Sequence, residues 1–303
     1  MTSTRAPLGL YLTIAFGGAW LAALPLWTSE LGLAHPALPI TLAGMQLSPT
    51  LAVLAVWLLA RLREDPAAAP RTWARDTGLT LGGRSGRALR FTAATWIAVP
   101  VVVAVVIALS ALAGVFPTDL AGLSGYRRAF PQGDHSTAAL GLVISIVIGT
   151  LSAALGAFGE EWGWRGWLLP RLMPLGRGAA LALSGVIWGL WHAPLTLLGF
   201  NYPGLGAWGA PLFTLTCVTI GAVLGWLRLR TGSVWPAVLG HAAFNSSVPA
   251  LYLITSDARS PLNPLLGGVF GLTGWLVIGA LATLLLRLRP VTEPAGSGPV
   301  RTR

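Results

Sequence analysis

The chain has 303 residues, of which 54% are hydrophobic and only 10% charged, where a soluble domain carries about 25% charged residues. So few charges cannot cover a water-facing surface, and an ordinary soluble globular protein is excluded. All 20 basic residues are arginines against 10 acidic ones, a net charge of +10, and their placement follows membrane topology rather than a nucleic-acid surface.

A membrane-crossing helix needs about 20 apolar residues. Such runs occupy 8–27, 37–60, 91–115, 138–158, 178–199, 208–229, 233–254 and 264–286. The first is long enough to span and is followed by others, so it reads as an uncleaved helix rather than a signal peptide. Helices are expected throughout, because lipid offers no partner to open backbone groups. The segment 61–90 after the second run carries seven arginines and is expected to lie along the anionic inner leaflet. Seventeen of the 20 arginines fall at the two termini and at the loops after the second, fourth and sixth runs. That asymmetry places both termini in the cytoplasm. The expected fold is therefore all-α, a polytopic membrane protein of about eight transmembrane helices. It forms one membrane domain over 1–290, with its core at 138–254 and a disordered tail at 291–303.

Glycines four apart (Gly185 and Gly189, Gly221 and Gly225, Gly267 and Gly271) suit close helix packing. Several of the 14 tryptophans flank the runs as an interfacial belt would. The single cysteine, Cys217, cannot form an internal disulfide and reads as a packed thiol.

Ionisable groups within a membrane are expensive, so those against the spans are functional candidates. They are Glu160, Glu161 and Arg165 at the end of the fourth run, His192 in the fifth and His241 in the seventh, with Asn245 one turn beyond. Glu161 and Arg165 are four apart, share a helix face and can pair. Glu160 points about 100° away and is left to face another helix. Trp188 lies four before His192, and His241 and Asn245 share a face. Each feature has a plainer reading: a helix-end ion pair, a satisfied packing histidine, an asparagine bridging two helices. Convergence of Glu160 with the histidines requires the fourth helix to continue past residue 158, which the sequence permits as far as Pro170.

The stretches "EEWGWR", "WGLWH" and "HAAFN" resemble, in order and spacing, the motifs E-E-x-x-x-R, F-x-x-x-H and H-x-x-x-N of the CPBP intramembrane proteases. That family includes CaaX prenyl-protein endopeptidases and bacteriocin-processing or immunity proteins. Trp188 stands in place of the motif phenylalanine. The resemblance implies an endopeptidase working inside the membrane on a membrane-associated protein or peptide, prenylated or bacteriocin-like; the expected location is the plasma membrane. Glu160 and His192 would activate water, His241 and Asn245 would hold the oxyanion, and Glu161, Arg165 and Trp188 would support the site.

The chemistry agrees with these roles: a buried carboxylate suits a general base, and His and Asn are donors to developing negative charge. No serine or cysteine nucleophile lies in the motifs. A zinc site of His192, His241 and Glu160 is the competing form, although it would leave no free base, because Glu161 is paired with Arg165. A glutamate mechanism that requires no cofactor is the preferred expectation. The rival functions are a non-catalytic immunity or scaffolding protein of the same fold and a proton-coupled transporter. The absence of a repeat between the two halves weighs against the transporter. No nucleic-acid partner is expected; the bilayer is.

Overall fold

The computed structural model describes residues 5–83, 85–133 and 135–288. The expected disordered tail at 291–303 lies outside the described residues. The helices are α1 (Arg5–Trp27), α2 (Leu38–Leu62), α3 (Pro70–Asp76), α4 (Ser85–Leu112), α5 (Ser124–Ala129), α6 (Ala138–Glu161), α7 (Leu169–Leu172), α8 (Arg177–Trp191), α9 (Ala193–Thr196), α10 (Gly209–Thr231), α11 (Trp235–Thr255) and α12 (Leu272–Leu288). No strand occurs among the described residues. Six helical stretches are long and apolar enough to cross a membrane, and the protein is an all-α polytopic membrane protein.

Every apolar run has its helix, but two are shorter than expected. The fifth run is not one helix to residue 199, because α8 stops at Trp191. Pro194 lacks an N–H and its ring clashes with the carbonyl one turn earlier, so the chain breaks and restarts as the single turn α9. The eighth helix begins at Leu272 rather than 264. Gly267 and Gly271 therefore lie in the turns before α12, and they do not form a helix-packing pair. The other two glycine pairs pack as expected: Gly185 and Gly189 face the backbone of Val218 and Thr214 on α10, and Gly221 and Gly225 face back toward Arg165 and Leu181.

The bundle is held by α1 on α2, α2 and α11 on α6, α4 on α11, and α8 and α12 on α10. On α6, Gly156 and Gly159 admit Gln46 of α2 against the helix, and Thr50 Oγ1 donates to the Gly159 carbonyl at 2.9 Å. The arginine-rich segment after α2 folds partly onto the protein. Arg228 donates to the Asp76 carbonyl at 2.8 Å, and the Trp235 indole to the Leu79 carbonyl at 2.9 Å. At the other side, the turn after α4 pairs with the end of α11 through Thr118 and Ser256, and Ser124 donates to Asp257 at 3.2 Å.

Candidate active site

Helix α6 does not end at Glu161. It passes directly into a π-helical stretch, Trp162–Leu168, and then α7, giving one continuous rod to Leu175. The wide π turn is a feature that recurs at functional sites. Its glycines let neighbours close in, Gly163 toward Pro49 and Tyr11, Gly166 toward the Thr77 carbonyl. Its tryptophans are buried: Tyr11 stacks on Trp167 with centroids 4.4 Å apart, and Trp164 meets Trp191 edge to face at 5.7 Å. The site is thus seated on a buried aromatic floor.

The two adjacent glutamates diverge as their helical positions require. Glu161 is fully buried, and its Oε1 accepts from Arg165 Nη1 at 2.7 Å and from His241 Nδ1 at 3.0 Å. The expected Glu161–Arg165 pair is present, and a histidine from 80 residues away joins it on the same oxygen. Glu160 turns toward α8, where the Trp188 indole N–H donates to its Oε2 at 2.8 Å. Behind that indole, the Arg165 guanidinium lies 4.1 Å from the ring centroid.

His192 sits at the end of α8 rather than within a helix, and its Nδ1 lies 2.9 Å from the Trp188 carbonyl. A carbonyl only accepts, so Nδ1 carries the proton and Nε2 is left as an acceptor. The Glu161 carboxylate fixes His241 Nδ1 as a donor in the same way. Rings pack around both imidazoles: Trp188 stands edge to face with His192 and with His241, and Phe213 with His192.

Glu160, Trp188, His192, His241 and Asn245 all line one cavity of about 600 Å³. Asn245 is exposed within it, and its side chain makes no hydrogen bond among the described residues. Glu161 and Arg165 do not reach the cavity wall and act from behind it. The remaining walls are largely apolar, among them Leu42, Met45, Phe200, Phe213, Phe244 and Phe270.

Among the lining residues that the sequence did not place at the site are Gln46 and Cys217. Gln46 on α2 faces the cavity, and its side chain makes no hydrogen bond among the described residues. A search of the spans for all polar residues, rather than ionisable ones, would have found it. Cys217 is buried as expected, but its Sγ lies 4.0 Å from His192 Nδ1, and no sequence signal placed it there.

Among the described residues no three His, Cys, Asp or Glu side chains gather closely enough to hold an ion. Glu160 already accepts from Trp188 and His241 is held by Glu161.

The motifs that carry this geometry all fall within one matched segment. Residues 134–247 match the family model of the type II CAAX prenyl endopeptidases, Rce1-like. This agrees with the resemblance drawn from the three motifs. A CAAX prenyl protease 2 from Methanococcus maripaludis is 30% identical over 111 residues, covering 35% of this chain and 41% of that relative. The chain therefore spans less than half the length of the relative, and the likeness to the Rce1-like proteins is a likeness of the segment that carries the site.

Proposed function

We propose that this protein is an intramembrane endopeptidase that cleaves a peptide bond of a membrane-associated protein or peptide. One observation carries the reading: Glu160, His192, His241 and Asn245, from three separate parts of the chain, line a single cavity whose other walls are largely apolar. The match to CAAX-type endopeptidases supports it.

In this reading Glu160 takes a proton from a water whose oxygen attacks the scissile carbonyl carbon, and His192 Nε2 accepts the water's other proton in a hydrogen bond. Asn245 donates its amide N–H to the developing oxyanion, an interaction whose loss typically costs about 100–1000-fold in rate. His241 has Nδ1 committed to Glu161, so it offers the oxyanion an N–H only as imidazolium, with Glu161 as counter-ion. When the tetrahedral intermediate collapses, the C–N bond breaks and Glu160 returns its proton to the leaving amine. The apolar walls accept the apolar part of the substrate, such as a prenyl chain, and the plasma membrane is the proposed setting.

The test compares new protein termini in cells carrying the wild type or Glu160→Gln at matched expression. At least one terminus should appear only when Glu160 is present. If the two sets of termini are identical in a strain where deletion has a phenotype, the protease reading is wrong and a binding or immunity role replaces it.

A further inference from the structure

We propose that Trp188 is a positioning residue for this chain's general base: its indole N–H fixes the Glu160 carboxylate, and Arg165 ties it to the Glu161–His241 pair. The inference rests on the proposed function in taking Glu160 as the base.

Three observations carry it. The Trp188 N–H donates to Glu160 Oε2 at 2.8 Å, with Trp188 4% and Glu160 2% exposed, so the bond is largely shielded from bulk solvent. The motif that this stretch resembles has phenylalanine at the position, which would supply a ring but no donor. The hydrogen bond is therefore a property of this sequence beyond its aromatic packing. Finally, Trp188 is itself held in place. Arg165 lies 4.1 Å over its ring while pairing with Glu161 at 2.7 Å, and Glu161 accepts from His241. Gly221 leaves room for the guanidinium there, because a Cβ at that position would come 2.9 Å from Arg165 Nη2.

One guanidinium thereby connects the two halves of the site, the base and the histidine on α11. A carboxylate on a freely rotating side chain meets a water in many geometries. One oxygen pinned by an indole N–H leaves the other to face the cavity in a defined direction. Misplacement of a reacting group by about 1 Å can cost 100-fold in rate.

The test uses the full chain in detergent micelles and has two readouts. In protein labelled with ¹⁵N at the tryptophan indoles, the Trp188 signal is the one lost in Trp188→Phe. Its proton resonance should lie downfield, as a carboxylate acceptor requires, and should move upfield in Glu160→Ala. A Trp188 signal unmoved by Glu160→Ala overturns the proposal whether or not any peptide is cleaved.

The second readout is hydrolysis of a quenched-fluorescent farnesylated CaaX peptide. Trp188→3-benzothienylalanine replaces the N–H with sulfur at nearly constant shape, which guards against simple misfolding. It should lower kcat about 10–100-fold with little change in KM, because the lost interaction orients the base without binding substrate. Wild-type kcat in that variant, with Glu160→Gln inactive, overturns the proposal and leaves the protease reading standing. If wild type and Glu160→Gln cleave the peptide alike, the protease reading fails for this substrate class, and the indole signal alone decides the role of Trp188.

Discussion

Arg165 is the residue on which the site's electrostatics turn. It is 1% exposed and uses one nitrogen on Glu161 and its flat face on Trp188, while Nη2 has no hydrogen-bond partner among the described residues. Removing one member of a buried ion pair leaves an uncompensated charge and typically destabilises by about 3–5 kcal/mol. Arg165→Ala should therefore destabilise the folded protein by that order, read as a lower unfolding temperature in detergent. The paired variant Glu161→Ala/Arg165→Ala should recover more than half of the loss, because neither charge is then stranded. A double variant as unstable as the sum of its singles would show that packing around the guanidinium, rather than charge pairing, holds this region. By hydropathy alone Arg165 falls in the loop after the fourth run; the structure buries it, because the fourth helix continues through the π turn as a single rod.

At the scale of elements, α8 decides where Trp188 and His192 stand, and α10 decides where α8 stands. A Cβ on Gly189 would lie 2.5 Å from Thr214 Cα, and one on Gly185 would lie 2.6 Å from Val218 Cα. Neither backbone can yield alone, so Gly189→Ala must push α8 away from α10. Overpacking of this kind costs about 1–3 kcal/mol. Gly189→Ala should lower both unfolding temperature and Glu160-dependent cleavage, whereas Gly178→Ala on the same helix meets nothing within 4 Å and should do neither. Equal effects of the two substitutions would refute a close α8–α10 contact as the determinant.

This seam was legible in the sequence, as were the apolar runs and the Glu161–Arg165 spacing, because each follows from a local period. Long-range pairings were not. Nothing local tells Glu161 that His241 will meet it, or Glu160 that an indole 28 residues away will donate to it. The break after Trp191 did have a signal, Pro194, which hydropathy ignores because proline does not interrupt an apolar average.

Across the whole molecule, the contacts sort the loops into two sides independently of charge. Gln46 lies beside Gly156 and Gly159, and Pro49 beside Gly163, so α2 and α6 run in the same direction and their C-terminal ends share a side. The segment after α2 meets the α10–α11 turn on that side through Arg228 and Trp235. The turn after α4 meets the end of α11 on the other, where Asp119 N–H donates to the Thr255 carbonyl at 3.0 Å. Arginine density follows the same division: seven arginines lie in 61–90, and only Arg127 and Arg128 in 116–137. Two unrelated criteria, packing and charge, thus agree on which loops belong together, and the excess of arginine predicts that its side is the cytoplasmic one.

The chain's own cysteine is buried, so introduced thiols can be read against a quiet background. Ala67→Cys and Gln132→Cys both occupy exposed positions, one on each side. A membrane-impermeant maleimide applied to intact cells should label Gln132→Cys at once and Ala67→Cys only after permeabilisation. The reverse pattern would invert the molecule and put the arginine-rich side outside. Labelling of both in intact cells would break the division itself, and with it the packing contacts on which it rests.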